Sequence, residues 1–300
     1  MESKRSFSSN QLTNEVILLE PILDNGIHED PIISYIRNRQ NEDGGYTFAQ
    51  WTESSAEDTY YAIRILEMLK TQPLRVADTI RFLRELQYPD GSYDSVKVAY
   101  YCNTALSALG STPRFDMRSY THSLLKMLGG LGSLDVNIET SSELETTFLT
   151  LCLLRRVDKA RSDNTVKFIL GRRNKDGSFG RSGYSRLASV HYALASLRLL
   201  NYNVQALDET LKWLRYCELP RGGFTTTPRD TSYLVIDELY HGLNALRYFE
   251  TNPLHASAHM QLLSRFQNGN GGFRRSIFLG ISTFESTFYA LASLRLLKSS

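Results

Sequence analysis

A seven-residue polar turn and an aromatic-rich apolar helix recur together along this chain, and that recurrence restricts its fold more than any other feature. The turn reads Gln40-Asn41-Glu42-Asp43-Gly44-Gly45-Tyr46 in its first copy. It returns at Gln87–Tyr93, Arg173–Phe179 and Gln267–Phe273, in shorter form as Arg221-Gly222-Gly223-Phe224, and weakly as Gly132-Ser133-Leu134. One glycine from each copy falls at 44, 91, 132, 177, 222 and 271, at intervals of 47, 41, 45, 45 and 49 residues. The helices repeat with the turns: TYYAIRILEML (59–69), TTFLTLCLLRR (146–156), VHYALASLRLL (190–200), LYHGLNALRYF (239–249) and TFYALASLRLL (287–297). In the last copy Phe284, Phe288, Leu291, Leu294 and Leu297 share one face at steps of three and four. A period of roughly 40 to 50 residues marks an array of helical hairpins, each burying its apolar face only against its neighbours.

Each hairpin resolves into two predicted helices. The first ones fall at Pro31–Arg39, Arg75–Leu86, Met117–Leu128, Asp163–Arg172, Leu207–Tyr216 and Leu254–Phe266. The second ones fall at Ser55–Lys70, Val96–Leu109, Ser142–Arg156, Leu187–Leu200, Tyr233–Phe249 and Thr283–Leu297. Most glycine and proline lies in the connectors, where helices break. The aromatic residue after each glycine pair is expected to anchor its turn on the hairpin below. Ser141-Ser142-Glu143 and Ser282-Thr283-Phe284-Glu285 read as helix N-caps.

Residues 1–29 read as a polar tail with an apolar capping patch at Val16–Leu23, and residues 30–300 as a single domain of six repeats. The last helix is as apolar as those in the middle, so repeat six is expected to pack on repeat one and close a ring. The expectation is an all-α protein, an α/α toroid of six hairpins. Its second helices would form the inner wall, carrying Tyr60, Tyr61, Tyr100, Tyr101, Phe148, Tyr192, Tyr233, Tyr240, Phe288 and Tyr289.

With 300 residues, 42% of them hydrophobic, the chain can bury a large core. A net charge of +2 without long like-charge runs gives no reason to expect a nucleic-acid partner. Cys102, Cys152 and Cys217 form no CxxC pair and suit a reducing compartment. No stretch has the 18 apolar residues of a membrane span, and the N-terminus lacks a signal-peptide core, so a cytoplasmic location is expected.

The (Q/R)xx(D/N)G(G/S)(F/Y) turn followed by an (F/Y)YALxxLxxL helix resembles the repeat of protein prenyltransferase β subunits, squalene/hopene cyclases and related terpenoid cyclases. The resemblance covers roughly residues 30 to 298. It implies a toroid of six inner and six outer helices around an aromatic cavity that takes an isoprenoid or isoprenyl diphosphate. It also raises the prospect of a helical-repeat partner subunit. The prenyltransferases hold a catalytic zinc through Asp, Cys and His at the starts of two inner helices. Here the matching positions read Asp237, Leu239 and Ser286, and one carboxylate does not hold the ion. No metal or other cofactor is therefore expected. The DxDD acid of the protonating cyclases is absent as well, its nearest string being Leu134-Asp135-Val136-Asn137.

An acid does recur four residues before the position of Tyr289: Glu57, Glu145, Asp237 and Glu285, a series broken by Ala188 and Tyr100. One reading is N-terminal helix stabilisation of about 0.3–1 kcal/mol per site. The other is a carboxylate ring at one mouth of the barrel, with Asp237, Glu145 and Glu285 as acid, base or cation ligands. Arg186 falls where the family has a phosphate-binding His, and Arg229 near its loop Arg. With Tyr192, Tyr240, His241 and Tyr289 these make the candidate substrate site, the arginines holding the diphosphate. His255 and His259 read as a surface pair. The function expected is that of a prenyltransferase β-like or terpenoid cyclase-like protein, zinc-independent if it is a transferase or cyclase. The alternative is a non-catalytic lipid- or protein-binding barrel.

Overall fold

A computed structural model describes residues 27–129, 142–154, 157–181, 183–226 and 234–298. Among these residues twelve α-helices follow one another. The outer set is α1 (Glu29–Arg37), α3 (Val76–Glu85), α5 (Arg118–Gly129), α7 (Lys159–Leu170), α9 (Asp208–Cys217) and α11 (Ala256–Ser264). The inner set is α2 (Ala56–Met68), α4 (Val96–Ala108), α6 (Glu143–Leu154), α8 (Arg186–Leu199), α10 (Ile236–Tyr248) and α12 (Phe284–Lys298). The capping patch expected at Val16–Leu23, the turn at Gly132 and inner-wall Tyr233 lie outside the described residues.

Each outer helix packs on the inner helix that follows it. The inner helices pack in sequence, α2 on α4 and so on to α10 on α12, and α12 returns to pack on α2. The chain is an all-α toroid, as its repeats imply. Side-chain caps start five inner helices at one level: Ser55, Ser95, Ser142, Ser185 and Thr283 accept from the backbone N–H three residues on. Each such cap contributes about 1 kcal/mol. Among the described residues, strand structure is confined to the two-residue β1 (Phe273–Arg274) and β2 (Ser282–Thr283), together with isolated bridges in and beside the turns.

The turns join neighbouring hairpins. A backbone bridge ties the two ends of the turn, as in Gln40 with Tyr46 and Gln267 with Phe273. The closing aromatics Tyr46, Tyr93, Phe179, Phe224 and Phe273 are all buried, as the motif led one to expect. In the first turn Gln40 donates to the Gly44 carbonyl and accepts from the N–H of Arg75, just before α3. Thr79 of α3 donates to the same carbonyl, at 2.8 Å. The chain there runs so close to α3 that a β-carbon on Gly44 would lie 2.3 Å from the backbone of Asp78. Gly271 makes the equivalent approach to Pro31, so the joint between repeats six and one is built like the others.

Two local expectations change. α7 begins at Lys159 rather than Asp163, because Asp158 caps it by accepting from the N–H of Arg161. His259 is not a surface residue: it is fully buried, with its ring stacked on Phe224 at 5.2 Å. Its Nδ1 accepts from the N–H of Gly223 and its Nε2 faces Glu218 Oε1 at 3.2 Å. Repeat five thus uses Glu218 and His259 where repeat one uses Gln40 and Thr79.

Candidate functional site

Each inner helix turns two consecutive side chains toward the barrel interior, one turn below its cap. They are Tyr60-Tyr61 on α2, Tyr100-Tyr101 on α4, Phe148-Leu149 on α6, His191-Tyr192 on α8, Tyr240-His241 on α10 and Phe288-Tyr289 on α12. All of these except His241 line a cavity of about 450 Å³ to which every inner helix contributes. The rings pack face to face in Tyr60–Tyr101 (4.7 Å), Tyr240–Tyr289 (4.3 Å) and His191–Tyr192 (5.1 Å), and at angles in pairs such as Tyr61–Tyr289. Such pairs add about 0.5–1.5 kcal/mol each beyond area burial, and exposed ring faces attract cations.

The end of the barrel at the helix N-termini carries carboxyl groups. Glu285 Oε1 accepts from the hydroxyls of Tyr289 (3.0 Å) and Tyr61 (3.2 Å). Tyr101 donates to Glu57 at 2.8 Å. Lys97 of α4 lies between Glu57 (3.4 Å) and Glu145 (3.8 Å). The residue that interrupts the acid series in repeat two is therefore Lys97, at the level of the acids, and not Tyr100, which belongs to the aromatic layer. Burial pushes the carboxyl of Glu145 up from its ordinary range, with Lys97 opposing and Glu57 adding. Burial likewise raises Glu285, reinforced by Asp237 and opposed by the hydrogen bond from Tyr289. Burial opposes the charge on Lys97, yet Glu145 and Glu57 hold its pKa above the ordinary value.

Beside this ring, burial pushes Asp58 up to about 6, against the hydrogen bond from the N–H of Phe48. A folded pKa above the unfolded value of about 3.9 makes Asp58 favourable below pH 4 and costly once pH has risen through about 6. Asp58→Asn is accordingly expected to stabilise the fold by about 1–3 kcal/mol at pH 8 and to do nothing at pH 4. Urea melts at the two pH values measure this, and equal effects at both would refute the burial argument.

At mid-height, His191 and His241 meet Nδ1 to Nδ1 at 2.8 Å. One Nδ1 donates and the other accepts, so at least the accepting ring is neutral. Burial lowers His191 to about 3, with Arg247 adding to the effect, and burial also lowers His241 well below its ordinary value, with His191 adding. The opposite end of the cavity reaches the surface beside the exposed Glu250 and Asn252, past the C-termini of α2, α10 and α12. Arg64, Arg247 and Arg295 line that end.

The structure brings together part of the residue set expected from sequence. Tyr192, Tyr240, Tyr289 and Glu145 line the cavity, while Glu285 sits behind Tyr61 and Tyr289. His241 is held behind His191 and does not line the cavity. Asp237 is bound to Arg275 at 2.7 Å. Arg186 points away from the cavity: its guanidinium pairs with Asp176 and Ser178 in the turn and lies 5.2 Å over Trp213. The expected diphosphate role therefore loses its geometric basis at Arg186, and Arg229 lies outside the described residues. Lys97, Arg64, Arg247 and Arg295 were missed, although Arg64 stands one helical turn after Tyr60 and so shares its face.

The zinc positions of the prenyltransferases do not fit the ion here. Asp237 is engaged by Arg275, Leu239 is fully buried in the apolar core, and Ser286 offers neither thiolate nor imidazole.

The family model described as the prenyltransferase alpha-alpha toroid domain matches residues 12–98, 94–232 and 181–300. Among solved structures the chain resembles Candida albicans protein geranylgeranyltransferase-I complexed with GGPP, at 17% identity and a TM-score of 0.59, over 80% of this chain and 83% of that one. It also resembles a variant of the type II terpene cyclase MstE from Scytonema in complex with geranylgeranyl dihydroxybenzoate, at 12% identity and a TM-score of 0.59, over 90% and 95% of the two chains. No curated protein sequence matches it. Among the described residues no helix is long and apolar enough to cross a membrane. At these identities the structural neighbours bear on the fold alone, and the family match across nearly the whole sequence decides the rest: the chain belongs to the prenyltransferase alpha-alpha toroid family.

Proposed function

We propose that this protein binds an isoprenoid chain in its central cavity and acts on it by proton transfer, without zinc. One observation carries the reading: ring side chains from all six inner helices line a cavity capped at one end by carboxyl groups that burial pushes up in pKa. A volume of about 450 Å³ lies in the usual range for small-molecule sites. An apolar chain buried there gains roughly 25 cal/mol per Å² removed from water. The tail lies among Tyr192, Tyr240 and Tyr289. Glu145, which faces the cavity, is the acid or base, and Glu285 acts through the hydroxyls of Tyr61 and Tyr289. Asp237, bound to Arg275, contributes to the local field. The protein geranylgeranyltransferase with GGPP and the cyclase with its geranylgeranyl substrate support the choice of ligand class.

The test is incubation with geranylgeranyl diphosphate and with geranylgeraniol, followed by extraction and mass spectrometry. The expected result is a product distinct from the substrate. Glu145→Gln and Glu285→Gln should each lower its rate by about 100-fold, the usual size of a general acid–base contribution, with ligand affinity changed little. Because the working acid form is lost as pH rises through a raised pKa, the rate should decline at a higher pH than an ordinary carboxylic acid would give. A second reading is a binding barrel without chemistry. It is favoured by the engagement of these acids, Glu285 with two tyrosines and Glu145 with Lys97. Bound ligand recovered unchanged would select it, and absence of binding would end both.

A further inference from the structure

Charge is distributed unevenly along the cavity. At the N-terminal end of the inner helices stand Glu57, Glu145, Asp237 and Glu285, and the cations beside them are engaged: Lys97 by two glutamates and Arg275 by Asp237. An anion placed there would meet those carboxylates, and the described cations beside them, Lys97 and Arg275, are already paired. The other end of the cavity is lined by Arg64, Arg247 and Arg295, against Glu250, whose carboxylate is exposed and paired with Arg198 at 3.3 Å.

Arg64 is the most informative of the three. It lies in the body of α2 rather than in its last turn, at the place in the repeat that α12 fills with Ala292 and α8 with Ala195. Its Nη1 bonds Glu67 at 2.6 Å, whereas its Nε is buried and has no hydrogen-bond partner among the described residues. A buried guanidinium N–H without an acceptor is costly unless something else supplies one. Arg64 and Arg247 line the same cavity as Tyr240 of the aromatic layer.

We propose that this C-terminal mouth is an oxyanion site that holds the phosphate or carboxylate head of the ligand, through Arg64, Arg247 and Arg295. This rests on the isoprenoid reading and deepens it. The head sits at the exposed end, opposite to Arg186, and the far end of the tail lies toward Glu145. Guanidinium forks suit both head groups, with charge-assisted bonds stronger than neutral ones.

Calorimetry with three ligands tests the assignment: geranylgeranyl diphosphate, geranylgeranoic acid and geranylgeraniol. Arg64→Gln, Arg247→Gln and Arg295→Gln are compared with Lys97→Gln at the other end. Each arginine variant is expected to weaken one or both charged ligands by about tenfold or more while leaving the alcohol within about twofold. The alcohol arm also reports that each variant is folded. A larger loss for the diphosphate identifies a phosphate head, and a larger loss for the acid identifies a carboxylate head; either supports the site. Equal losses for alcohol and charged ligands, or discrimination lost in Lys97→Gln but kept in the arginine variants, overturns it. If the wild type binds none of the three, the isoprenoid reading itself falls and the head-group site with it.

Discussion

Gly271→Ala is expected to destabilise the protein by about 3 kcal/mol or more, although it adds one methyl group. Gly271 has φ +89°, a left-handed conformation that costs other residues about 1–2 kcal/mol. Its β-carbon would stand 2.4 Å from the carbonyl carbon of Pro31, and backbone of that kind yields only by shifting α1, at about 1–3 kcal/mol. The joint affected is the one that closes the ring. There the Tyr35 hydroxyl donates to the Ser282 carbonyl at 2.8 Å, and Phe284 meets both Tyr35 and Tyr46 edge-on. Gly269→Ala, two residues earlier with nothing within 4 Å of the added carbon, is the control and should change stability by less than about 0.5 kcal/mol. Denaturant unfolding of the two variants decides the matter. Equal effects would mean that repeats six and one do not meet in this way.

The second large effect is expected in the fifth turn. Glu218 is fully buried through its side chain and accepts from Arg215 (2.7 Å), the N–H of His255 (3.1 Å) and His259 (3.2 Å). Burial pushes its pKa up, but the bonds from His259 and Arg215 outweigh that and leave it below the ordinary value. A lowered folded pKa means that Glu218 stabilises the fold above the usual carboxylate range, and that this is lost as pH falls through the folded value. His259→Ala removes one donor to this carboxylate, orphans the N–H of Gly223 and leaves a hole beside Phe224. A loss of about 3–5 kcal/mol is expected, the range for breaking a buried pair from one side. The double variant Glu218→Gln/His259→Thr recreates the Gln40 and Thr79 arrangement of the first turn and should recover most of that loss. Failure of the double variant to exceed His259→Ala in stability would show that the two pairs are not equivalent. A double-mutant cycle gives the coupling directly, since the residues touch.

The repeat units were legible in sequence because their determinants are local. Apolar steps of three and four, glycine pairs and cap residues lie within one turn of the helices they define. The acid series was legible for the same reason, a fixed offset within a helix, and so were the inward-facing Tyr192, Tyr240 and Tyr289. The register slip in repeat two has a local cause too. In AYYCNTAL either tyrosine can be matched to the aromatic of its neighbours, and the contacts of Lys97 with Glu57 and Glu145 show that it occupies the level of the acids.

Which acids are buried and which are neutralised was decided by tertiary structure. Arg275, 38 residues from Asp237 in sequence, engages that carboxylate, while Glu285 meets Tyr61 from the far end of the chain. Arg186 looked like a ligand residue because its helix position matched the family, but Asp176 and Trp213 draw it into the turn. His259 looked exposed because the apolar surface that covers it comes from Phe224 in another element. The arginine mouth depends on which end of a closed barrel stays open. Periodicity is carried by neighbours along one helix, so the sequence by itself determined six hairpins and their inward faces. Burial and charge pairing are set by residues that meet only when the ring closes, so the character of each end of the cavity belonged to the tertiary structure.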